Sequence, residues 1–566
     1  MGCATTRTLE RVAAAIGGLH GAPIEFERVE DVPCGGVLLA LPALLETGLL
    51  AHSRELFAMP EGYYPLESIF LLLAFMALGR IASLEALRYE TPGEWGKLMG
   101  LDRIPEVRTL RAKLSALCSQ AGQAEAWSST LAKQWMEEVA PQAAGVFYAD
   151  GHVRVYHGQL TKLPRRYIAR ERLCLRGTTD YWVNAMDGQP FFVVTRPVDP
   201  GMISVLRDDI VPRLEREAPG QPGAPALEAD PLLSRFTLVF DREGYSPAFF
   251  SEMKNKRIAI LSYHKFPGDR WPESEFSTRK VRLVHGEEVD MELAERGVCL
   301  PNGMWVREIR QRSQSGTQSS ILCTDYRGEV TRAAACMFAR WCQENFFKYM
   351  REHYHLDRLV EYGCEPIPET TRVVNPAWRA LDAQVRHHNG KLSRELAAFA
   401  AASLPADPKP GDFEKWEREK GTRQSAIEER RQQIATLKAA RKAAGKHFQI
   451  KDLPPEDRFS RLRSEKKHFI DTIKMIAYRS ETAMAGLARE HMTRQDDARS
   501  LMRQLYESAV DLVPDPQSQT LTVRLHRLTA RVHDEVIARL CEELTATETV
   551  FPRTDLRLIF QFVGSS

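Results

Sequence analysis

Residues 236–246 read FTLVFDREGYS, an apolar run that ends in an acid. The run FTLVF has the composition of a buried β-strand, because β-branched and aromatic side chains fill a pleated surface. Asp241 follows the run directly, and the Arg-Glu-Gly after it predicts a turn. An acid at the carboxyl end of a strand lies where mixed α/β sheets bind their ligands. The stretch therefore predicts a buried sheet with a ligand-binding edge.

The segments around this stretch complete a mixed α/β pattern. GVFYADGHVRVYHG (145–158) predicts a strand, a tight Asp-Gly turn and a second strand, so that Asp150 would end the first strand. A second Asp-Gly pair begins at Asp187 and predicts another hairpin. The chain then alternates, with a helix over 246–256 and a buried strand over 258–264. Hairpins followed by alternating helices and strands indicate a mixed sheet.

Composition and periodicity predict a multidomain α+β protein with four parts. Residues 1–140 are expected to form a helical domain, a candidate for DNA binding, before a mixed α/β core over 141–400. A β-rich insertion is expected within that core at about 265–331. Residues 401–455 contain a Pro-rich hinge, LPADPKPGD, and a charge-dense helix typical of a helical hairpin. Residues 456–566 are expected to form a helical C-terminal domain that ends in the strand-like RLIFQFV.

Bulk composition excludes some classes of protein and leaves nucleic-acid binding open. The net charge of +2 arises from 77 basic and 75 acidic residues, so local basic stripes could exist without a basic average. The 10 cysteines include no CxxC pair, which argues against a zinc knuckle or a disulfide framework. The most apolar run, IFLLLAFMAL at 69–78, is too short to span a bilayer. The N-terminus does not resemble a signal peptide, so we expect an intracellular protein without membrane contact.

Glu344 interrupts the apolar and aromatic segment MFARWCQENFF. On a helix of 3.6 residues per turn, Met337, Arg340, Lys348 and Arg351 fall on the same arc as Glu344. The opposite arc, expected to face the sheet, consists of Ala335, Phe338, Cys342, Phe346 and Tyr349. A carboxylate among cations suits an enzyme that acts on phosphodiesters, although a solvated face with i,i+4 ion pairs has the same pattern.

The series FYADG, VFDREGYS and ARWCQENFFKYMREHYHLD resembles the DDE transposases of bacterial insertion sequences. The resemblance covers about 145–362 and is closest to the cut-and-paste group, which has a Tyr…Arg…Glu…Lys signature helix after a β-rich insertion. It implies a ribonuclease H-like core in which Asp150, Asp241 and Glu344 hold two catalytic Mg²⁺ ions, with Mn²⁺ as a substitute. Three carboxylates and phosphate oxygens suffice for such hard ions.

The signature helix departs from the family pattern at two places. The family arginine corresponds to Arg340, and the family lysine corresponds to Arg351, which keeps the charge but not the shape of the donor. The family tyrosine corresponds to Met337, which cannot donate a hydrogen bond. The resemblance thus implies phosphate contacts from the helix without the tyrosine.

Further DNA contacts are expected outside the acids. In the resembled group the inserted β-region grips the transposon end, and Trp305 could stack on a displaced base there or could be a packed strand residue. The basic residues predicted to contact DNA are Arg307 and Arg310, with Arg312 beside them, in the insertion; Arg108, Arg111 and Lys113 in the N-terminal helices; and Arg340, Lys348 and Arg351 around Glu344.

Several alternatives remain open on the sequence alone. Glu243 is a substitute candidate for Asp241, while His152 is expected to be structural, because hard divalent ions prefer oxygen ligands and the Asp-Gly turn would take it off the face of Asp150. A ribonuclease H-fold nuclease would use the same acids without joining strands, and a domesticated DNA-binding protein or a scaffold would not cleave DNA. For a transposase, the expected partners are double-stranded transposon ends and target DNA, with at least a dimer acting on DNA in the bacterial cytoplasm.

Overall fold

The structure is a computed structural model that describes residues 6–139, 143–158, 162–168, 173–196, 198–284, 286–360, 363–404, 409, 411–454 and 458–563. The chain divides into two units. Unit 1 contains Met1–His157, Arg165–Gly363 and Leu462–Ser566, and unit 2 contains Gly158–Pro164 and Cys364–Arg461.

The helices and strands among the described residues have the following bounds. The helices are α1 (Thr8–Ala15), α2 (Leu41–Glu46), α3 (Ser53–Leu56), α4 (Leu66–Leu78), α5 (Pro92–Lys97), α6 (Val107–Leu117), α7 (Gln123–Glu137), α8 (Met202–Val205), α9 (Val211–Glu217), α10 (Ala224–Ala229), α11 (Pro247–Asn255), α12 (Val330–Phe338), α13 (Arg340–His353), α14 (Pro376–Ala401), α15 (Asp412–Ala444), α16 (Glu465–Glu490), α17 (Ala498–Glu507) and α18 (Asp534–Ala546). The strands are β1 (Val29–Val32), β2 (Val146–Val155), β3 (Arg165–Ile168), β4 (Leu173–Asn184), β5 (Pro190–Thr195), β6 (Thr237–Phe240), β7 (Ala259–Tyr263), β8 (Ser277–Arg282), β9 (Glu288–Cys299), β10 (Trp305–Arg312), β11 (Gln318–Cys323), β12 (Cys364–Glu365), β13 (Arg372–Val374), β14 (His447–Gln449), β15 (Arg461–Leu462), β16 (Val510–Asp515), β17 (Thr520–His526) and β18 (Arg557–Val563).

A mixed sheet forms the centre of unit 1. Its strand order is β3-β4-β2-β6-β7-β11-β10-β9-β8, and β5 pairs with β4 beside this path. β2, β6 and β7 are parallel, whereas the strands on either side of them pair antiparallel. The mixed α/β class expected from the sequence is confirmed. The β-rich insertion also has the expected antiparallel strands, and β11 pairs with β7, so the insertion continues the same sheet.

The prediction of a tight turn at Asp150-Gly151 is wrong, because β2 runs through both residues to Val155. Each of them pairs with β4, Asp150 with Trp182 and Gly151 with Tyr181, and this ladder holds the backbone extended. Asp150 therefore lies within a strand and does not end one. The second Asp-Gly pair does form the expected hairpin between β4 and β5, where Gly188 has φ +87°.

The two faces of the central sheet contact different layers. Side chains alternate across each strand, and on one face Tyr148, Val239 and Leu261 pack with α12 in one buried cluster. On the other face their neighbours Phe147 and Leu238 belong to a larger core. That larger core continues into α4, α7 and α16, so a single apolar interior supports the sheet and the helices around it.

The N-terminal and C-terminal segments of unit 1 share structure. The predicted N-terminal helices are present, and Phe70 of α4 and Trp127 of α7 pack against Phe469 of α16, with ring centroids 5.1 and 5.6 Å apart. The C-terminal segment contains strands as well as the expected helices. β1 joins β16, β17 and β18 in a four-stranded sheet, and β18 is the strand predicted from RLIFQFV.

Unit 2 contains the expected charged helix as part of a helical hairpin. α14 and α15 are antiparallel, and Arg430 bonds to Glu395 at 3.0 Å. Ile427 and Ile434, from the predicted apolar stripe, are buried. In the described ranges, none of the helices of the protein has the length and apolar character that crossing a membrane requires.

Candidate active site

Asp150 and Asp241 come together because their strands are parallel and in register. β2 pairs with β6 as far as Ala149 and Phe240, so the acids that follow occupy one row of the sheet. Neighbouring strands lie about 4.8 Å apart, and side chains on one row point to the same face. The residues two positions earlier in both strands pack against α12. The two carboxylates are therefore on the face that α12 covers.

Glu344 comes from α13, the helix that follows α12, together with a guanidinium. Arg340 donates from Nη2 to Oε1 of Glu344 at 2.7 Å, and its guanidinium lies 5.9 Å from the ring centre of Tyr263. Among the described residues Nη1 of Arg340 is buried without a hydrogen-bond partner. The side chain of Glu344 is 47% exposed. The helix thus presents an accessible carboxylate and a partly satisfied cation.

Gln343 anchors α13 to the sheet beside Asp150. Its buried Nε2 donates to the main-chain oxygens of Tyr148 at 3.2 Å and Trp182 at 3.4 Å, and to Oδ1 of Asn184 at 3.0 Å. Trp182 is the residue directly opposite Asp150 in the β2–β4 ladder. The next residue of the helix is the candidate glutamate, so these hydrogen bonds fix its helix relative to the strand that carries the first aspartate.

The charges of Asp241 and Glu344 both act on Asp150. Burial raises the pKa of Asp150 to about 6; the charge of Arg340 opposes this shift, and the carboxylates of Asp241 and Glu344 add to it. Burial also raises the pKa of Glu243 to about 7, and Asp241 makes the largest charge contribution there. Like charges raise each other's pKa only at short range. Carboxylates held together in this way favour the binding of a cation.

The donor set fits hard divalent ions. Asp150, Asp241 and Glu344 offer carboxylate oxygens, which Mg²⁺ prefers, and Asp150 makes no ion pair with another described residue. One oxygen of Asp241 accepts from the main-chain N–H of Glu243 at 2.8 Å, which caps the short turn after β6. The three carboxylates do not all approach within 4.8 Å of one another. A pair of ions about 3.5–4 Å apart requires a wider ligand set than a single ion does.

A second group of ligand-type side chains lies on the small sheet. Within the described ranges, Asp31, Asp511 and His526 alone place three such groups within 4.8 Å of one another. His526 contacts both carboxylates, at 2.9 Å to Asp511 and 3.5 Å to Asp31. The imidazole and the two acids satisfy one another, so this group carries no functional assignment.

The signature helix differs from the continuous helix that the sequence predicts. It divides at Ala339, where ψ is −11°, and Met337 is buried in the cluster beneath α12, so it is not on the arc of Glu344. The buried residues of α13 are Gln343, Phe346, Phe347 and Met350. Cys342 and Tyr349, expected on the buried arc, are half-buried. The break turns the buried face of α13 from its expected position.

The cations predicted around Glu344 differ in accessibility. Lys348 is exposed one turn after the glutamate. Arg351 is half-buried, and its Nε donates to the main-chain oxygen of Phe347 at 3.4 Å. Together with Arg340, these residues form a basic ridge along α13, on the side of the carboxylate.

His152 shares the face of Asp150, because β2 does not turn. Its Nε2 contacts Oδ1 of Asp357 at 2.6 Å, and its ring stacks on Phe347 with centroids 5.2 Å apart. Burial lowers the pKa of His152, against the opposing effect of Asp357. Both contacts agree with the structural role expected from the sequence. Glu243 lies in the short turn after Asp241, also as expected.

The residues of the insertion that are predicted to contact DNA differ in how far they are exposed and paired. Trp305, at the start of β10, is 61% exposed. The guanidinium of Arg307 bonds to Glu295 and to the main-chain oxygens of Asp325 and Gly328. Arg310 and Arg312 also form ion pairs within the protein. Arg310 is buried against Glu308, and Arg312 pairs with Glu273 and Glu292.

The predicted DNA contacts in the N-terminal region lie on α6. Arg108 is exposed, and Arg111 pairs with Glu85. Lys113 is half-buried and donates to the main-chain oxygen of Pro60 at 3.5 Å. The helix α6 follows the short helix α5 in the chain.

Two residues of the site escaped the sequence analysis. Tyr263 is the last residue of β7, and Asp241 directly follows β6. The argument that ligands bind at the carboxyl ends of strands, which selected Asp241, could therefore have selected Tyr263 too. Gln343 gave no signal, because a polar residue before Glu344 in a helix is common. Its role depends on the strands that it reaches.

Comparison with known proteins gives a result for the whole chain. A family model described as a transposase protein matches residues 1–564. No curated protein matches the chain.

Proposed function

Because the chain belongs to this transposase family, we propose that Asp150, Asp241 and Glu344 are its catalytic metal ligands, in a ribonuclease H-like core of the DDE type. The reaction is cleavage of DNA phosphodiesters at the ends of the mobile element, followed by transfer of the freed strand into target DNA. The observation that carries the proposal is the shared row of Asp150 and Asp241 on the face that α12 covers, to which Gln343 anchors α13, the helix of Glu344.

Each acid has a distinct part in this proposal. Asp150 is the acid on which the charges of both other acids act, and Asp150, Asp241 and Glu344 together would hold two Mg²⁺ ions. When bound, two such ions activate a water or 3′-hydroxyl nucleophile and stabilise the leaving oxygen. No general-base side chain is required for that chemistry. Mn²⁺ is expected to substitute for Mg²⁺, since both accept oxygen ligands.

The protein's own cations position the DNA strand. Arg340 has a buried Nη1 without a hydrogen-bond partner in the described part of the chain, and a phosphate oxygen would satisfy it. Lys348 and Arg351 continue the basic ridge, and Trp305 offers an exposed aromatic face for a base. Joining two transposon ends requires that both be held at once, so we expect at least a dimer on DNA, acting at the bacterial nucleoid.

The test is a cleavage and joining assay on linear DNA that carries the sequences flanking the coding region. Wild type, Asp150→Ala, Asp241→Ala and Glu344→Ala are compared with and without Mg²⁺ or Mn²⁺. Glu352→Gln is the matched control, because Glu352 is an exposed acid on the same helix. We expect metal-dependent cutting and joining that only the first three variants lose, with DNA binding retained.

Other outcomes would redirect the proposal. Metal-dependent nicking without joining would indicate a ribonuclease H-fold nuclease that uses the same acids. Binding of DNA without cutting under any metal would contradict the catalytic assignment and favour a DNA-binding protein that no longer cleaves.

A further inference from the structure

Tyr263 occupies the third position of the row that holds the two aspartates. β6 and β7 are parallel, and Phe240 pairs with Ser262, so Tyr263 lies beside Asp241 as Asp241 lies beside Asp150. The residue two positions earlier, in the middle of β7, packs against α12, and Tyr263 packs against the edge of the same cluster. The phenol therefore shares the face of the sheet that carries the catalytic carboxylates.

Two guanidiniums hold the ring of Tyr263. Arg242, in the turn after β6, lies 5.5 Å from the ring centre, and Arg340 of α13 lies 5.9 Å from it. Such contacts are favourable because the ring face is electron-rich. Arg340 is also hydrogen-bonded to Glu344, so the tyrosine touches the element that supplies the third acid. The ring is half-buried, which leaves its edge at the surface.

The hydroxyl of Tyr263 differs from those of two tyrosines on the neighbouring strands β2 and β4. Tyr148 donates to the main-chain oxygen of Cys336 at 2.6 Å, and Tyr181 donates to Oδ1 of Asp199 at 2.8 Å. The hydroxyl of Tyr263 makes no hydrogen bond to any part of the chain that the structure describes. A donor between two cations and beside carboxylates suits a ligand that is itself anionic and rich in oxygen.

We propose that the Tyr263 hydroxyl donates a hydrogen bond to a phosphate oxygen of the DNA strand bound at Asp150, Asp241 and Glu344. Arg242 and Arg340 hold the ring and attract the same strand. This inference rests on the proposed function, because the acids define where the strand lies. Tyr263 is a substrate-contacting residue that joins the cations of two elements, the turn after β6 and the helix α13.

The test compares Tyr263→Phe and Tyr263→Leu with wild type in the full chain. Tyr89→Phe is the control, because Tyr89 is 90% exposed. Melting temperatures first establish that all variants fold. Single-turnover cleavage of end DNA gives the rate constant, and fluorescence anisotropy of the same DNA without divalent metal gives the dissociation constant.

The expected result is a loss of about tenfold in the ratio of rate constant to dissociation constant for Tyr263→Phe, the size of one hydrogen bond to a charged group. Tyr263→Leu should lose more, because it also removes the ring. Tyr263→Phe indistinguishable from wild type, with only Tyr263→Leu impaired, would overturn the hydroxyl contact.

A chemical readout separates contact from packing. Methylphosphonates placed one at a time near the cut remove single phosphate charges. If the hydroxyl contacts a phosphate, the methylphosphonate at that position should lower cleavage by wild type more than it lowers cleavage by Tyr263→Phe. Equal penalties at every position would contradict the inference. If wild type never cleaves, the proposed function fails, and anisotropy alone decides: weaker DNA binding by Tyr263→Phe supports the contact, and equal binding overturns it.

Discussion

Strand β2 carries two opposite arrangements of charge only four residues apart on one face. Arg154 is fully buried and pairs with Asp180 and Asp471, both at 2.7 Å, and Lys467 reaches the same two acids at 3.0 Å. Asp150 has no ion pair with a described residue, and the charges that act on it are those of two acids, Asp241 and Glu344, and of one cation, Arg340. The charges around Arg154 balance, with two cations and two acids, while the charges around Asp150 have an excess of acids.

The pKa values follow this difference. Burial alone would raise the pKa of Asp180 and Asp471, but Lys467 and Arg154 hold both below their usual range. At Asp150, burial and the nearby acids raise the pKa. Buried charges that are matched serve the fold, whereas unmatched carboxylates are retained at a cost and indicate a site for a cation.

The largest expected effect is on activity at Asp150. Asp150→Asn removes the negative charge of a proposed metal ligand, so metal-dependent cleavage should fall by about 10⁴-fold. The melting temperature should stay the same or rise, because the variant relieves repulsion among acids. Cleavage kinetics and thermal unfolding of the same preparation check both. If Asp150→Asn lost stability and kept cleavage, Asp150 would serve the fold and not the reaction, which contradicts the account.

The next effect is on stability at Arg154. Arg154→Met leaves Asp180 and Asp471 with only Lys467, and breaking a buried pair costs about 3–5 kcal/mol. We expect a marked drop in the midpoint of urea unfolding, followed by tryptophan fluorescence. Asp150→Asn serves as the control on the same strand. An unchanged midpoint for Arg154→Met would show that the network does not stabilise the fold.

A smaller effect concerns pH and His468, which lies on α16 between Lys467 and Asp471 of the network. Burial, with the charge of Lys467 adding to it, lowers the pKa of His468 to about 4. The folded protein therefore disfavours the charged imidazole, and stability is lost as pH falls below the unfolded value. At pH 5 the loss is about 2 kcal/mol. Melting temperatures should fall less for His468→Gln than for wild type between neutral pH and pH 5, and parallel curves would contradict this account.

The smallest effect concerns Gln343. Gln343→Leu removes the hydrogen bonds to Tyr148, Trp182 and Asn184, which should lower cleavage about tenfold and raise the Mg²⁺ concentration required. Asn345→Ala, at an exposed position of the same helix, is the control. A fall in melting temperature without any change in metal requirement would reduce Gln343 to a packing role.

Much of the sheet follows from local sequence, but the sequence does not decide where strands end. Two Asp-Gly pairs look alike, yet Gly188 turns and Gly151 does not. A side chain at Gly151 would lie 3.2 Å from the ring of Tyr181, which shows how closely the paired strand β4 covers it. The turn signal is local, whereas the pairing that overrides it joins residues that are distant in sequence.

The sequence predicts the acids of the candidate site but not the residues that support them. Asp150, Asp241 and Glu344 are predicted from their strand and helix contexts and from the family resemblance, but the row that joins the two aspartates depends on a strand register that no local pattern contains. No glycine or proline lies at the break at Ala339, so the sequence pattern does not predict it. The sequence analysis therefore places Met337 on the arc of Glu344, whereas the structure buries it. The buried state of Arg310 depends equally on distant partners in the insertion and the loop after β7.

The most direct test of the central claim replaces a non-bridging oxygen of the scissile phosphate with sulfur. Mg²⁺ is a hard ion that binds oxygen, whereas Mn²⁺ accepts softer ligands more readily. The account predicts that one of the two sulfur diastereomers is cut poorly with Mg²⁺ and that Mn²⁺ restores its cleavage. Equal cleavage of both diastereomers with either metal would contradict a metal site at Asp150, Asp241 and Glu344.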